Sequence, residues 1–378
     1  MTYPTYLDCC ATSPIESEVI DEISSYLAVD FGNSGSRTHN YGAVANRAVE
    51  QARKKIAEVV QCDPAEVVFT SGATESDNMA ILGLAKYGTE AGRKHIVSTE
   101  IEHKAVLEPL EELERNGFEV SLVAPSASGR VLTDDVLGAI RNDTLLVSVM
   151  HANNETGVIQ PIADIASRLA DSDVFFHTDA AQTFGKLMDD LRSPRIDLIS
   201  ISGHKIFGPK GIGAIIARRR NGRRPPLTPL MFGGGQERGL RPGTMPVALT
   251  AGLGKAAEIS LRDHAERDQR CRQFKATMMK NLASLNPIMH GEEQFTMSHV
   301  ANFSIADIDS EALMLALKES VAISNGSACT SASYSPSHVL KAMQLTDKAA
   351  GAATRWSWCH MTDEPDWGLV RQRISMLL

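Results

Sequence analysis

The stretch VVFTSGATES at residues 67–76 contains the pattern that decides the fold. A short apolar run is followed at once by small and polar residues, and then by a helical pattern. Similar apolar runs recur between helical segments at residues 95–97, 145–150, 174–176 and 196–201. Near-continuous apolar runs are typical of parallel strands that are covered on both faces. The alternation therefore predicts an α/β domain with a mainly parallel sheet flanked by helices.

The pattern changes after about residue 250. A long charged helical stretch at about 255–285 precedes a predicted strand at 300–305, a helix from Ser310 and a short strand at 321–324. We therefore predict a large domain at residues 16–250. Residues 1–15 and 251–378 are predicted to form a smaller α+β domain.

Composition narrows the class of protein. The chain has 378 residues, is 43% hydrophobic and carries a formal net charge of -8. Because neutralising phosphates takes a surplus of Lys and Arg, we expect no direct nucleic-acid binding. The basic run at 218–224 favours a solvated turn, with an anionic partner as the alternative. No segment approaches the ~20 apolar residues of a membrane span, and residues 1–11 lack a signal-peptide pattern, so we expect a cytoplasmic protein without membrane contact.

The six cysteines are too few and too scattered for a disulfide framework. A Cys-x-x-Cys pair is missing, so we predict no metal site. The adjacent Cys9 and Cys10, and the pair Cys359-His360, are better explained as packed core than as metal clamps.

Polar side chains follow the predicted strands at the point where each strand ends. They lie at residues 71–75, His103, residues 153–155, Asp179 with Gln182, and residues 202–205. Any one of them alone is better explained as a cap or a turn. Five at the same edge of one sheet favour a ligand site, because ligands of open parallel sheets bind beyond the carboxyl ends of the strands.

The chemistry of this edge favours pyridoxal phosphate (PLP). Gly72-Ala73-Thr74 opens a predicted helix, whose free N–H groups favour a phosphate, although this tripeptide is common in loops. Asp179 can hold a protonated pyridine nitrogen. Lys205 can form a Schiff base with an aldehyde cofactor, although a lone lysine is nearly always a solvated cation. The combination is what PLP requires.

A series of motifs makes the chain similar to the NifS/IscS cysteine desulfurases, which are fold-type I PLP enzymes. The resemblance runs in order from about residue 6 to about residue 364. The motifs are Leu7-Asp8 with Ala11-Thr12, Phe31-Gly32-Asn33, TSGATESDN at 70–78, Glu102-His103, HANNETG at 151–157, DAAQTFGK at 179–186, SGHKIFGPKG at 202–211, GGGQERGLRPGT at 233–244 and SNGSACTSA at 324–332.

The resemblance implies a set of cofactor contacts. Lys205 would bond to PLP, His103 would stack on its ring and help to move protons, and Asp179 would pair with the ring nitrogen. Gln182 would contact the ring hydroxyl. The implied phosphate ligands are Ala73, Thr74, Ser202 and His204, together with Thr244 from the partner subunit of a homodimer.

The resemblance also implies the substrate and the reaction. L-Cysteine would be bound by Asn33, Asn154 and Arg355, the last two holding its carboxylate. Cys329 would be the nucleophile that takes the sulfur as a persulfide for an acceptor protein, with L-alanine leaving. On its own, Cys329 would be interpreted as a small buried cysteine.

The chain departs from the family pattern at three places. Residues 355–360 read RWSWCH where related enzymes often read RFSLGR, Cys9-Cys10 replaces small or amide residues, and Thr156 replaces an aliphatic residue. These departures leave the branch open among iron–sulfur cluster assembly, tRNA thiolation and DNA phosphorothioation. A selenocysteine lyase, an aminotransferase of the same fold and a non-catalytic sulfur-transfer scaffold are the alternative functions.

Overall fold

The computed structural model describes residues 3–306, 308–326 and 337–378. Its strands are β1 (Thr5–Tyr6), β2 (Val67–Thr70), β3 (His95–Thr99), β4 (Glu119–Val123), β5 (Thr144–Ser148), β6 (Phe175–Asp179), β7 (Leu198–Ser202), β8 (Gly213–Ala217), β9 (Pro287–Met289), β10 (Val300–Ile305), β11 (Val321–Ala322) and β12 (Thr354–Ser357). Its α-helices are α1 (Ser17–Ala28), α2 (Asn40–Val60), α3 (Ala73–Leu82), α4 (Ala85–Glu90), α5 (Lys104–Arg115), α6 (Thr133–Gly138), α7 (Ile162–Arg168), α8 (Val247–Leu282), α9 (Ser310–Leu317), α10 (His338–Ala342), α11 (Asp347–Ala352) and α12 (Trp367–Ser375).

A seven-stranded sheet forms the centre of the molecule, in the order β2-β8-β7-β6-β5-β3-β4. β8 runs antiparallel to both of its neighbours, and the remaining pairs are parallel. Alternate residues of β2 enter different cores. Val67 and Phe69 pack with α1, α2 and the start of α8, whereas Val68 packs with α3 and α5. Helices therefore cover both faces, and the predicted α/β class with a mainly parallel sheet is confirmed.

A second, smaller core surrounds the three-stranded antiparallel sheet β12-β10-β9. The N-terminal segment joins it, since β1 pairs with β11 and Asp8 forms a bridge to Ser357. Helix α8 contributes to both cores: Leu253 packs in the large one and Phe274 in the small one. The division that we propose between residues 250 and 251 falls inside this helix.

Arg218 corrects one expectation from the sequence. It was expected in a solvated turn, but it is only 5% exposed. Its guanidinium donates to the carbonyl oxygens of Val60 at 2.5 Å and Leu191 at 2.9 Å, so it satisfies acceptors that would otherwise be left without a partner inside the protein. A guanidinium has five donors for such a task, which is why it can be buried among carbonyls. None of the helices in the described ranges has the length and apolar content of a membrane span.

Candidate active site

The carboxyl ends of the parallel strands open on a cavity of about 670 Å³. The structure brings most of the predicted site residues to its wall, namely Ala73, Thr74, His103, Asn154, Asp179, Gln182, Ser202, His204, Lys205 and Arg355. Asn33 and Thr244 are exposed and do not line it. Cys329 lies outside the described residues, but Gly326, three residues before it, belongs to the wall.

Lys205 ends a short 3₁₀ turn, Gly203–Lys205, that follows β7 directly. Its Nζ donates to the carbonyl oxygen of Cys10 and, at 2.9 Å, to that of Ala11. These acceptors are main-chain atoms of the N-terminal segment, so no side-chain pattern could have predicted them. They hold the lysine head inside the cavity. Lys210, on the next turn, lines the same cavity.

Asp179 ends β6 and is 7% exposed. Its Oδ1 accepts a hydrogen bond from the Ala181 N–H at 2.8 Å. Burial raises the pKa of Asp179 to about 6, and the neighbouring Asp77 adds to the rise. A cation placed against this carboxylate would reverse the effect, because an opposite charge favours the ionised form. The position therefore suits a protonated ring nitrogen.

Asp77, inside α3, is a cavity residue to which the sequence analysis gave no role. Burial raises its pKa to about 7. Its Oδ1 lies 3.5 Å from Nε2 of His177, whose pKa burial lowers to about 4. The sequence signal for Asp77 was a carboxylic acid on an apolar helix face. Such a residue stands out because an isolated buried charge is strongly disfavoured.

His103 begins α5 as its N-cap residue. Its Nδ1 accepts a hydrogen bond from the Ala105 N–H at 3.1 Å, so the neutral ring carries its proton on Nε2. Burial lowers the pKa of His103, and Lys205 acts in the same direction. Behind it, Glu102 accepts from Thr99 Oγ1 at 2.8 Å and from the Met150 N–H at 2.9 Å, and burial raises its pKa to about 8. The ring is thus fixed by its own helix and presents its Nε2–H as a hydrogen-bond donor.

The start of α3 forms the anion-binding end of the cavity. No side chain in the described part of the chain caps this helix, whose first residue, Ala73, follows Gly72. Gly213 of β8 lies directly behind this turn: a Cβ there would come within 2.7 Å of Gly72 Cα. Glycine at 213 therefore lets β8 approach closely, and the N–H groups of the first turn of α3 remain free for a phosphate. Ser202 lines this region.

His204 completes the anion-binding end. Its Nδ1 lies 3.1 Å from Thr12 Oγ1. Burial lowers the pKa of His204 to about 4, and the neighbouring Lys205 and Lys210 lower it further. His204 therefore offers a neutral ring. The positive charge that attracts a phosphate would come from Lys205, Lys210 and the N-terminus of α3.

Arg355, on β12, also lines the cavity, with only 5% of its side chain exposed. Its Nη1 donates to the Asn154 carbonyl oxygen at 2.9 Å, and its Nη2 pairs with Asp8 Oδ1 at 2.6 Å. Its Nε is buried without a hydrogen-bond partner in the described part of the chain. A guanidinium with a spare donor next to a displaceable carboxylate is suited to bind the carboxylate of an amino acid.

Both ends of the segment that contains Cys329 meet Glu155. Ser337 Oγ donates to Glu155 Oε2 at 2.5 Å, and a Cβ built on Gly326 would lie 3.2 Å from the same oxygen. Burial raises the pKa of Glu155. The two residues that flank 327–336 therefore converge at the cavity wall.

The residues present fit PLP. Gln182 Nε2 donates to the Cys10 carbonyl oxygen at 3.0 Å, while its Oε1 is buried with no hydrogen-bond partner within the described ranges. A buried polar atom without a partner is costly, and a ring hydroxyl would supply one. With the carboxylate of Asp179, the amine of Lys205 and the start of α3, the cavity offers a group for each polar part of the cofactor.

Comparison with known proteins identifies the class. Residues 5–366 match the aminotransferase class-V family. The chain therefore belongs to that family, and within it to the cysteine desulfurases.

Particular relatives agree with this assignment. "Cysteine desulfurase IscS" of Photorhabdus laumondii is 42% identical over 369 residues, which is 97% of this chain and 90% of the relative. The crystal structure of DndA from Streptomyces lividans is 48% identical with a TM-score of 0.82, covering 94% of this chain and 99% of DndA. SspA in complex with cysteine is 37% identical with a TM-score of 0.83, covering 93% of this chain and 98% of SspA. The resemblance noted from the motifs is confirmed.

Proposed function

We propose that this PLP-dependent cysteine desulfurase removes sulfur from L-cysteine, releases L-alanine and holds the sulfur as a persulfide on Cys329 for an acceptor protein. The observation that carries the proposal is the shared cavity, in which Lys205, Asp179 and Arg355 face one space. An amine, a carboxylate and a guanidinium so placed match the aldehyde carbon, the ring nitrogen and the substrate carboxylate.

PLP, when bound, supplies an electron sink for the α-carbon of the amino acid. The chain supplies the holding groups: the first turn of α3 with Ser202 and His204 for the phosphate, Asp179 for the ring nitrogen and Gln182 for the ring hydroxyl. Each of these lines the cavity. The cofactor would thus be fixed at both ends.

Proton movement would fall to Lys205 and His103. The carbonyl oxygens of Cys10 and Ala11 accept from Lys205 Nζ, so they orient the amine toward the interior of the cavity. There it can take the α-proton of the substrate. His103 can supply a proton from Nε2 once its Nδ1 is protonated, a change that would break the contact with the Ala105 N–H.

Sulfur transfer would follow on Cys329. Its thiolate attacks the substrate sulfur, and an S–S bond forms as the C–S bond breaks. The electron pair of the C–S bond stays with the carbon skeleton, which takes up a proton and leaves as alanine. Only a thiolate is a competent nucleophile here. Arg355 would exchange its contact with Asp8 for one with the substrate carboxylate. This exchange would fix the side of the cavity on which the substrate sulfur lies.

We further propose a homodimer in which Thr244 completes the partner's phosphate site. Its support is that Thr244 is exposed and does not line the cavity of its own chain. The nearby Phe232 is 89% exposed and Met231 is 44% exposed, which favours a protein contact. The loop between Phe232 and Thr244 is anchored, because its Glu237 forms an ion pair with the buried Arg53 at 2.7 Å. The cytoplasmic location stays a prediction.

For the pathway, we propose the DNA phosphorothioation branch rather than iron–sulfur cluster assembly or tRNA thiolation. The support for this branch is that the chain is 48% identical to DndA and 42% identical to IscS. Disruption of the gene in its host should remove phosphorothioate linkages from digested DNA, measured by mass spectrometry. Unchanged phosphorothioate would assign the protein to another branch.

The test of the proposed function is direct. The holoenzyme, incubated with L-cysteine, should release alanine in step with persulfide on the Cys329 peptide, measured by mass spectrometry. Alanine release from selenocysteine without release from cysteine would instead favour a selenocysteine lyase. Keto-acid formation without persulfide would favour an aminotransferase, and neither product would favour a scaffold.

A further inference from the structure

Two cysteines that the proposed reaction does not use meet behind the active site. Cys9 follows Asp8, which bridges Ser357, and Cys359 lies two residues beyond Ser357. The Cys9 N–H donates to the Ser357 carbonyl oxygen at 3.0 Å, so the N-terminal segment lies alongside the end of β12. Cys9, Phe207 and Cys359 form one buried cluster, in which both cysteines are free thiols.

The two thiols act on each other's ionisation: Cys359 raises the pKa of the Cys9 thiol well above its usual range, and Cys9 lowers the pKa of the Cys359 thiol. Thr362 Oγ1 donates a hydrogen bond to Cys359 Sγ at 3.6 Å. The pair therefore combines one protonated thiol with one sulfur whose ionised form is favoured.

Two cations and one carboxylate lie near the Cys359 sulfur. The cavity behind it is lined by Lys186, Arg267, Asp268, His299 and Cys271 as well as by Cys359 itself. Lys186 and Arg267 are the cations, because burial holds the pKa of His299 well below its usual range. Lys186 Nζ lies 3.3 Å from His299 Nε2 rather than against a carboxylate. Cations near a thiol stabilise the thiolate, which is the reactive form.

The pair also has a route to solvent. Both cysteines line a second cavity of about 260 Å³ on the outer side, together with Tyr3, Tyr6 and Met361. Tyr3 is 90% exposed, Tyr6 38% and Met361 36%, so this cavity opens at the surface. A small oxidant can reach the sulfurs without passing through the active-site cavity.

We propose that Cys9 and Cys359 are a disulfide-forming pair, which closes when the protein meets hydrogen peroxide. The Cys359 thiolate attacks the peroxide oxygen; the O–O bond breaks, and with one proton taken up the products are a sulfenic acid and water. The Cys9 thiol then displaces that hydroxyl, forming the S–S bond and a second water. Two thiols lose two electrons and two protons, and one molecule of hydrogen peroxide is reduced.

The bond would act on the segment that serves the active site. Cys10 and Ala11, next to Cys9, supply the carbonyl oxygens that hold Lys205 Nζ, and Asp8 pairs with Arg355. A disulfide at Cys9 would tie this segment to the chain that continues from β12. Both cysteines also stand at positions where the sequence departs from the motifs of the family that it resembles.

Peptide mapping of the wild-type holoenzyme tests the proposal without any mutation. After treatment with hydrogen peroxide, free thiols are blocked with N-ethylmaleimide and the protein is digested with trypsin without reductant. We expect the peptide of residues 1–37 linked to that of residues 356–371, with a mass two hydrogens below the sum of the two peptides plus one N-ethylmaleimide on Cys10. Dithiothreitol should separate them.

Variants identify the partner, since residues 1–37 contain both Cys9 and Cys10. The link should persist in Cys10→Ala and in the matched control Cys62→Ala, and should disappear in Cys9→Ala and Cys359→Gly. Oxidation should raise the melting temperature of the wild type and not of Cys359→Gly, because a closed loop restricts the unfolded chain. Two outcomes would overturn the proposal. In the first, the two peptides stay separate and alkylated under conditions that oxidise Cys62. In the second, the disulfide involves Cys10 or Cys271.

Discussion

Replacement of Arg355 by alanine should raise the KM for cysteine far more than it lowers kcat. The guanidinium makes two polar contacts in the free protein, at 2.9 Å and 2.6 Å, and keeps Nε unused. A hydrogen bond to a charged group contributes about 1.5–3 kcal/mol, and 1.4 kcal/mol is tenfold in affinity. The loss of the contact with the substrate carboxylate should therefore raise KM by roughly 10- to 150-fold.

The same variant should also lose stability, by about 2–3 kcal/mol. Breaking a buried ion pair costs roughly 3–5 kcal/mol, and the partial exposure of Asp8, 22% of its side chain, reduces that figure. Asp8→Asn is the matched control, because it removes the charge that competes with the substrate and keeps the shape. It should lower KM or leave it unchanged, with a smaller loss of stability.

Initial rates of alanine release over a range of cysteine concentrations, with thermal melts of each variant, separate these effects. The reasoning fails if Arg355→Ala keeps KM within about twofold of the wild type while its melting temperature falls, since Arg355 would then serve structure alone. It also fails if Asp8→Asn raises KM as much as Arg355→Ala does, because Asp8 would then position the arginine rather than compete with the substrate.

Three other changes have defined outcomes. Lys205→Ala should prevent borohydride from fixing PLP to the protein, and a phosphopyridoxyl group found on Lys210 would reject the assignment. Cys329→Ser should keep the spectral change on adding cysteine but form no persulfide, because a hydroxyl is a far poorer nucleophile than a thiolate; persulfide on Cys9 would move the nucleophile there. Burial raises the pKa of Glu102 from 4.5 to about 8. Between these two pH values the folded state binds more protons than the unfolded state, so the stability of the fold falls as pH rises. Glu102→Gln should therefore raise the melting temperature of the apoprotein more at pH 8 than at pH 5, and an equal gain at both would show that Glu102 is already ionised.

The fold was largely predictable because apolar runs record burial on both faces of the sheet. The strands at β2, β3, β5, β6 and β7 followed from those runs. β8 has an equally apolar sequence, Gly213–Ala217, but its antiparallel direction depends on the tight turn that returns the chain from Lys205. Direction is set by the connection, which a run of apolar residues does not encode.

Candidate site residues could be predicted where the chemistry belongs to a side chain. Contacts that depend on the path of the main chain could not. Lys205, Asp179 and Arg355 have residue types that match their partners, and motif order connects them. The carbonyl oxygens of Cys10 and Ala11 are main-chain atoms that every residue has, so their contact with Lys205 has no signature in composition. The contact between Cys9 and Cys359, 350 positions apart, likewise needed coordinates.

The pairing of the N-terminal segment with β12 has a consequence for synthesis of the chain. Asp8 leaves the ribosome 347 residues before Arg355, yet the two side chains meet at 2.6 Å. Domains generally fold as units while the chain is made, so Lys205 and Asp179 can be in place long before β12 exists. A nascent or truncated chain would then have the lysine and the ring-nitrogen carboxylate but no arginine for a carboxylate. Such a chain could bind the cofactor while still unable to select cysteine, and only the synthesis of β12 would join the two abilities.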